Sequence, residues 1–174
     1  VDERPHGPDE TPEMLVLRLA LAKARAGWLQ VRRQQPLPVL AADTVVALDD
    51  AVFGKPADRE EAAELLRRLS GRTHRVLTGV ALVDDREATR LSFSMVTFRA
   101  LSDADIVHYC RSGEPDDKAG GYGIQGIGGV FVERLEGSYS GVMGLPLCDV
   151  AGLLGEFGID FRRDWSGAGQ AADV

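Results

Sequence analysis

Several residue types are scarce in this sequence, and each shortage argues against a class of protein. The two cysteines, Cys110 and Cys148, form no C-x-x-C pair, which favours thiols in a reducing compartment over a disulfide scaffold. The three histidines show no metal-ligand spacing. No apolar run approaches the roughly 18 residues of a membrane span. No signal peptide is visible either, so we expect a cytoplasmic protein without a membrane partner.

Basic residues are outnumbered by acidic ones, and lysine is much rarer than arginine. The net charge of -7 leaves no basic stripe that could displace counterions, so we expect no nucleic-acid partner. Among the 20 Lys and Arg residues, the only lysines are Lys23, Lys55 and Lys118. In such an arginine-rich chain a lysine indicates a position that needs a compact ammonium group, although chance could also explain so few residues.

The segment between Pro38 and Pro56 predicts a buried strand with an acidic residue in its middle. Its apolar residues are Val39, Leu40, Ala41, Ala42, Val45, Val46 and Leu48. Asp43 interrupts them, and burial of a carboxylate costs on the order of several kcal/mol unless a cation, a metal or several donors compensate it. Asp43 is therefore a candidate functional residue. The alternative is a strand that ends there, with Asp43 and Thr44 capping a turn.

A hairpin brings one of the three lysines back towards this carboxylate. Asp49 and Asp50 mark a turn after the buried strand, and a short second strand leads from them to Lys55. Pairing of the two strands across the turn places Lys55 in the neighbourhood of Asp43.

A helix precedes the hairpin, and its apolar face contains another lysine. Thr11 as N-cap and Pro12 at the first helical position predict a helix that ends near Gly27. Its predicted apolar face also includes Lys23, which either reaches the edge of that face or serves a function. The apolar members of this face are Leu15, Val16, Leu19, Ala22 and Ala26.

The remaining pattern mixes strands with helices. Helices are predicted after the caps Asp58 and Ser102 and again after Pro146, while 73–83 and 89–99 have the composition of paired strands. This order indicates a layered α/β or α+β fold.

A glycine-rich stretch, 112–129, contains a pattern that is easily misread. Gly121, Gly123 and Gly126 satisfy G-x-G-x-x-G, but the stretch follows a polar loop and leads into a predicted strand at 130–132. A dinucleotide-binding fingerprint requires a preceding strand and a following helix, so we reject it. Gln125 lies within this turn and could read an amide or carbonyl edge of a ligand, or bind its own backbone.

Several separated motifs together resemble the Maf family of nucleoside triphosphate pyrophosphatases. The resemblance covers residues 1–157 and implies an α/β fold, a mixed twisted sheet flanked by helices in an elongated, two-lobed molecule with a central cleft. It also implies a divalent metal cation, Mg²⁺ or Mn²⁺, and a homodimer. The motifs are AADTVV at 41–46, GKP at 54–56, LSG-x-x-H at 69–74, TGV at 78–80, SGEP-x-DKAGGYGIQG at 112–126, and EGSYS with GLP within 136–146.

The resemblance assigns roles to specific positions. Asp43 matches the proposed catalytic carboxylate, Lys23 and Lys55 match lysines of the cleft, and Glu3 matches an early acidic residue. Glu3 on local grounds is only a solvated loop residue. Mg²⁺ prefers one or two carboxylates plus substrate phosphates, so Asp43 and Glu3 are the predicted metal ligands. Lys118 is a further candidate for binding the triphosphate.

Two further positions separate branches of the family. Thr44 and Gln125 resemble the branch that hydrolyses dTTP and UTP, or modified pyrimidine nucleotides, to the monophosphate and pyrophosphate. An amide such as Gln125 can read the O4 and N3 edge of a pyrimidine. The alternatives are a 7-methyl-GTP pyrophosphatase, which fits these positions less well, and a regulator of septum formation that binds nucleotide without turnover.

The sequence departs from the family at its start. Nothing before Glu3 supplies the family's first strand and its S-x-S-P-R-R phosphate loop. We expect residues 1–164 to form one domain from which this segment is missing, and 165–174 to be a disordered tail.

Overall fold

A computed structural model describes residue 7, residues 9–34 and residues 36–162. Glu3 and the tail predicted over 165–174 lie outside the described residues. Three short 3-10 helices, at Glu114–Asp117, Ala119–Gly121 and Ile127–Phe131, interrupt the second half of the chain. The other elements are α1 (Pro12–Val31), β1 (Val39–Leu48), β2 (Ala51–Phe53), α2 (Arg59–Leu69), β3 (Thr73–Val83), β4 (Glu87–Phe98), α3 (Asp103–Arg111), β5 (Val132–Glu136), α4 (Tyr139–Val142) and α5 (Leu147–Glu156).

Within the described residues, five strands form one sheet in the order β2-β1-β3-β4-β5, and every pair is antiparallel, unlike the mixed sheet that the family resemblance implies. Helices flank the sheet, which confirms the predicted α/β class. Asp43 lies inside β1 rather than at its end, opposite Gly79 of β3, so the alternative of a capped turn is wrong. The predicted hairpin is confirmed, since the turn at Asp49 and Asp50 joins β1 to β2.

Helix α1 covers one face of the sheet. Thr11 accepts a hydrogen bond from the Met14 amide and Pro12 begins the helix, as predicted. The helix does not end near Gly27 but continues to Val31. Gly27 is not a cap: it lies inside the helix against Val39 of β1, where a side chain would not fit. The prediction is wrong for Ala22 and Ala26, because the buried residues of α1 are Leu15, Val16, Leu19, Ala20, Ala24 and Trp28.

The opposite face of the sheet carries the larger core. The Asp58 carboxylate caps α2 by accepting from the Glu61 amide at 2.9 Å. The helix then buries Ala62, Leu65, Leu66 and Leu69 against the sheet, where they join a core that includes Val46 and Phe98. Strand alternation explains why Val46 joins this core while its neighbour Val45 packs against α1.

One strand prediction is wrong at its start. Val130 and Phe131 belong to a 3-10 helix, and β5 begins only at Val132. The preceding turn is tightly packed: a Cβ atom at Gly128 would lie 2.7 Å from the Tyr109 hydroxyl oxygen. Such packing winds this segment into a turn despite its apolar residues.

No helix within the described residues combines the length and the apolar character needed to cross a membrane.

Candidate active site

A cavity of about 260 Å³ lies beside the middle of β1. Its lining includes every predicted site residue that the structure describes: Lys23, Asp43, Thr44, Lys55, Lys118 and Gln125. A second hollow of about 230 Å³ shares Asp43 and Lys55 with the first and adds apolar residues of α1 and β2. The structure therefore brings together residues that are far apart in the sequence.

The carboxylate of Asp43 is paired with an ammonium group. Lys23 Nζ donates a hydrogen bond to Asp43 Oδ1. The Asp43 side chain is only 12% exposed and that of Lys23 is 34% exposed, so the pair lies at the boundary between the core and the cavity. Lys23 thus meets a partly buried partner instead of only extending along the edge of the apolar face. A close cation compensates part of the cost of desolvating a carboxylate.

A glycine of β3 lets α1 approach closely enough for this pairing. A Cβ atom at Gly79 would lie 2.7 Å from the carbonyl oxygen of Val16, so the helix backbone rests directly on the strand. Gly79 is also the register partner of Asp43. Lys23 lies two turns beyond Val16 on the same helix and reaches Asp43 from there. Sequence reasoning missed this role of Gly79, whose only signal was its place in the TGV motif.

The other two lysines reach the cavity from separate loops that are joined by their backbones. The Gly120 amide donates to the carbonyl oxygen of Gly54 at 2.9 Å, which ties the residue before Lys55 to the segment after Lys118. Lys118 also pairs with Asp117, a carboxylate on the cavity wall that the sequence analysis did not select. The hydrogen bond from Lys118 lowers the pKa of Asp117, and the charge of Lys55 acts in the same direction.

The glycine-rich stretch folds around an internal carboxylate. Glu114 accepts hydrogen bonds from the amides of Ile127 at 2.8 Å and Gly128 at 2.9 Å, and from the Tyr109 hydroxyl at 2.8 Å. Gly126 lies so close to this carboxylate that a Cβ atom there would collide with it. Burial acts to raise the pKa of Glu114, but the hydrogen bonds and Lys118 outweigh it, so the pKa is lowered.

This arrangement gives the sharp turns of the stretch a structural cause. Glu114 binds the backbone amide of Ile127, two residues after Gln125, and the side chain of Gln125 is part of the cavity lining. The G-x-G-x-x-G pattern begins at the last residue of one 3-10 helix and leads into another, which agrees with its rejection as a dinucleotide fingerprint. Glu114 was not selected from the sequence.

A buried histidine supports the floor of the cavity. His74 is 1% exposed, and its Nε2 lies 2.8 Å from the hydroxyl oxygen of Tyr122, which lines the cavity. Desolvation lowers the pKa of His74 to about 4, so the ring is neutral at physiological pH. Burial likewise raises the pKa of Tyr122. The spacing of the histidines in the sequence did not predict this contact.

Oxygen ligands for a metal are few on the described part of the cavity wall. Asp43 and Asp117 are the carboxylates in its lining. No group of three or more His, Cys, Asp or Glu side chains among the described residues could hold a metal ion. Such a wall suits a hard cation that takes most of its ligands from substrate phosphates and water, and it does not suit a structural metal cage.

Comparisons with known proteins identify the family. The Maf-like protein family matches residues 1–157. A dTTP/UTP pyrophosphatase from Alkalilimnicola ehrlichii is 63% identical over 162 residues, which is 91% of this chain and 80% of the relative. Proteins with the same name from Aromatoleum aromaticum and Escherichia coli O157:H7 are 54% and 52% identical, covering 91% and 89% of this chain and 78% of each relative. The resemblance predicted from the motifs is therefore confirmed, and this chain belongs to the Maf-like protein family.

Proposed function

We propose that this protein is a nucleoside triphosphate pyrophosphatase that hydrolyses dTTP and UTP to the monophosphate and pyrophosphate. The observation that carries the proposal is the cavity that unites the Asp43 carboxylate with Lys23, Lys55 and Lys118. The names of relatives that are 51–63% identical support the same substrates. Modified pyrimidine nucleotides would satisfy the same contacts.

The three lysines supply the charge that a triphosphate requires. Three ammonium groups around one cavity can neutralise the phosphate oxygens and stabilise the pyrophosphate as it leaves. Lysine acts as a compact point charge at such a site. Lys55 is exposed, so it can reach a ligand without first leaving the core.

Asp43 is the group that orients or deprotonates the attacking water. Hydrolysis between the α- and β-phosphates needs a water in line with the α-phosphorus and a carboxylate within hydrogen-bonding reach of it. Asp43 lies within β1, and Lys23 donates a hydrogen bond to Oδ1 of its carboxylate. This pairing keeps the acidic side chain at the cavity wall.

A divalent metal cation, Mg²⁺ or Mn²⁺, completes the proposed site. Asp43 would hold it together with the substrate phosphates, and Glu3, outside the described residues, is the second candidate ligand. When bound, the cation supplies charge neutralisation on the phosphate oxygens. The homodimer implied by the family resemblance stays a prediction.

Thr44 and Gln125 line the same cavity and are the proposed readers of the base. Gln125 is exposed and its amide NH₂ group can donate to O4 of uracil or thymine, which leaves the N3–H of the base for a second acceptor. Thr44 follows Asp43 directly in β1, which keeps base recognition beside the reacting phosphate.

The test is Asp43→Asn in the full-length protein, with phosphate and pyrophosphate measured separately from UTP and dTTP. We expect pyrophosphate release to fall by at least about 100-fold, because loss of a positioned acid or base typically costs that much. Asp50→Asn, in the exposed turn of the same hairpin, is the matched control and should retain the wild-type rate. A rate within a few-fold of wild type would remove Asp43 from this role. Binding of UTP without turnover by the wild-type protein would favour a nucleotide-binding regulator.

A further inference from the structure

A chain of hydrogen bonds crosses the sheet beside the cavity. Thr44 of β1 lies opposite Thr78 of β3, and their hydroxyl oxygens are 2.8 Å apart. Thr78 Oγ1 lies 2.7 Å from the carbonyl oxygen of Gly141 in α4. Thr78 is 1% exposed, so bulk water does not compete for its hydroxyl group.

The missing side chain of Gly141 permits this contact. Ser92 of β4 lies opposite Thr78 on its other side, which makes a row of three hydroxyl residues across the sheet. A Cβ atom at Gly141 would lie 2.6 Å from Ser92 Oγ, so a larger residue would push α4 away from the row. The carbonyl oxygen of Gly141 is thereby held against Thr78.

The direction of the protons along this chain follows from the groups that form it. A carbonyl oxygen only accepts, so Thr78 must donate its single proton to Gly141. Thr78 then has only lone pairs left for Thr44, and Thr44 must donate its own proton to Thr78. Thr44 therefore offers the cavity only the lone pairs of its hydroxyl oxygen.

We propose that Thr78 is a positioning residue that fixes Thr44 as a hydrogen-bond acceptor, so that the site selects pyrimidines with an N3–H donor. The inference rests on the proposed function, because it places the base beside Thr44. Uracil and thymine carry a proton on N3, whereas cytosine has a lone pair there. Cytosine would set two acceptors against each other, and a site built for a hydrogen bond discriminates strongly against a base that cannot form it.

Thr78→Val tests the proposal, because valine keeps the shape of the side chain and removes its hydroxyl group. Thr44 is then free to turn its proton towards the cavity and donate to N3 of cytosine. We expect the ratio of kcat/KM for UTP to that for CTP to fall by about tenfold or more. Thr78→Ser keeps the hydroxyl group and should preserve the wild-type ratio. If Thr78 served only to fill space, the ratio would not depend on whether the hydroxyl group is kept.

A matched control lies at the start of the same strand. Thr73 and Thr97 form a similar hydroxyl pair, with oxygens 2.8 Å apart, at an exposed position. Neither residue lines the cavity, so Thr73→Val should leave the UTP to CTP ratio unchanged. If Thr78→Val does not fold, Thr78→Ala removes the same hydroxyl group and gives the same comparison.

The outcomes separate this proposal from the proposed function. An unchanged ratio in the folded valine or alanine variant, or an equal loss on both nucleotides, would overturn the role of Thr78. A wild-type protein that releases no pyrophosphate from UTP or dTTP would contradict the proposed function instead. The ratio of the Kd for the α,β-methylene analogue of CTP to the Kd for that of UTP then tests Thr78 without turnover, and this ratio should fall by about tenfold in Thr78→Val.

Discussion

The two faces of β1 equip the cavity in different ways. On the face covered by α1, Asp43 carries a charge that Lys23 balances. On the opposite face, the next residue, Thr44, is neutral and joins a chain of hydroxyl groups that ends at Gly141. Because successive side chains of a strand point to opposite faces, one short segment supplies both kinds of group.

The difference between the faces concerns what each type of group can do. A charged pair acts on phosphate through an electrostatic field, which depends little on the direction of any one proton. A hydroxyl group discriminates between bases only if its proton has a fixed direction. The charged face therefore needs a close approach of the helix, which Gly79 provides, while the neutral face needs a buried partner, which Thr78 provides. Substitutions on the charged face should therefore change the rate of pyrophosphate release, and substitutions on the neutral face should change the discrimination between bases.

The largest effect is expected from Gly79→Ala, which acts on the charged face. The added methyl group would meet the Val16 backbone at 2.7 Å and push α1 from the sheet. We expect the free energy of unfolding to fall by about 3 kcal/mol, the upper part of the usual range for overpacking. Pyrophosphate release should fall about tenfold or more as Lys23 moves from Asp43, while the UTP to CTP ratio persists. Denaturant unfolding and steady-state kinetics measure both effects.

A glycine in open space provides the control for that experiment. A Cβ atom at Gly152 in α5 would meet nothing within 4 Å, so Gly152→Ala should raise stability by roughly 0.5–1 kcal/mol. Equal stability losses for the two substitutions would argue against the close contact between α1 and β3.

A smaller effect is expected from pH, and it acts on the neutral face through His74. The pKa of His74 is about 4 in the folded protein against 6.5 for an unperturbed histidine, so the unfolded chain binds the proton first. The contribution of neutral His74 to the stability is fully present above about pH 6.5 and decreases as the pH drops towards 4. Because of this group, the free energy of unfolding should be about 2 kcal/mol higher at pH 7.5 than at pH 5. Denaturant titrations at the two pH values measure the difference.

Two histidine variants isolate this contribution. His74→Phe removes the titrating ring. When the pH falls from 7.5 to 5, the free energy of unfolding of this variant should therefore decrease by about 2 kcal/mol less than that of the wild type. His108→Gln changes an exposed histidine of α3 and should keep the wild-type dependence. A His74→Phe protein with the full wild-type pH dependence would show that His74 is not the group responsible.

The smallest effect is expected from Glu114→Gln, which loosens the turn that carries Gln125. The amide would keep one acceptor oxygen but set its NH₂ group against a backbone N–H, so we expect a stability loss of about 1 kcal/mol. KM for UTP should rise several-fold while kcat changes little, because the phosphate-binding residues stay in place. Glu133→Gln, on exposed β5, is the control. A fall in kcat alone would contradict a role in positioning the base.

Local sequence patterns predicted the parts of the site that depend on local structure. The cap at Thr11 and the apolar spacing of α1 placed Lys23 on the buried side of the helix, and the apolar run of β1 marked Asp43 as unusual. The motifs added the family and with it Thr44 and Gln125. The errors fell where long-range packing decided, as at Gly27 inside α1 and at Val130 before β5.

The amino-acid sequence by itself determined the α/β class, the family and six described residues of the cavity, because periodicity and motifs are local properties of the chain. Only the tertiary structure decided why Gly79 must be small, what Glu114 holds, and which way the Thr44 proton points. Each of these depends on contacts between segments that are distant along the chain, such as Thr78 with Gly141. A hydrogen bond acquires its direction from all its partners, and the fold alone brings those partners together.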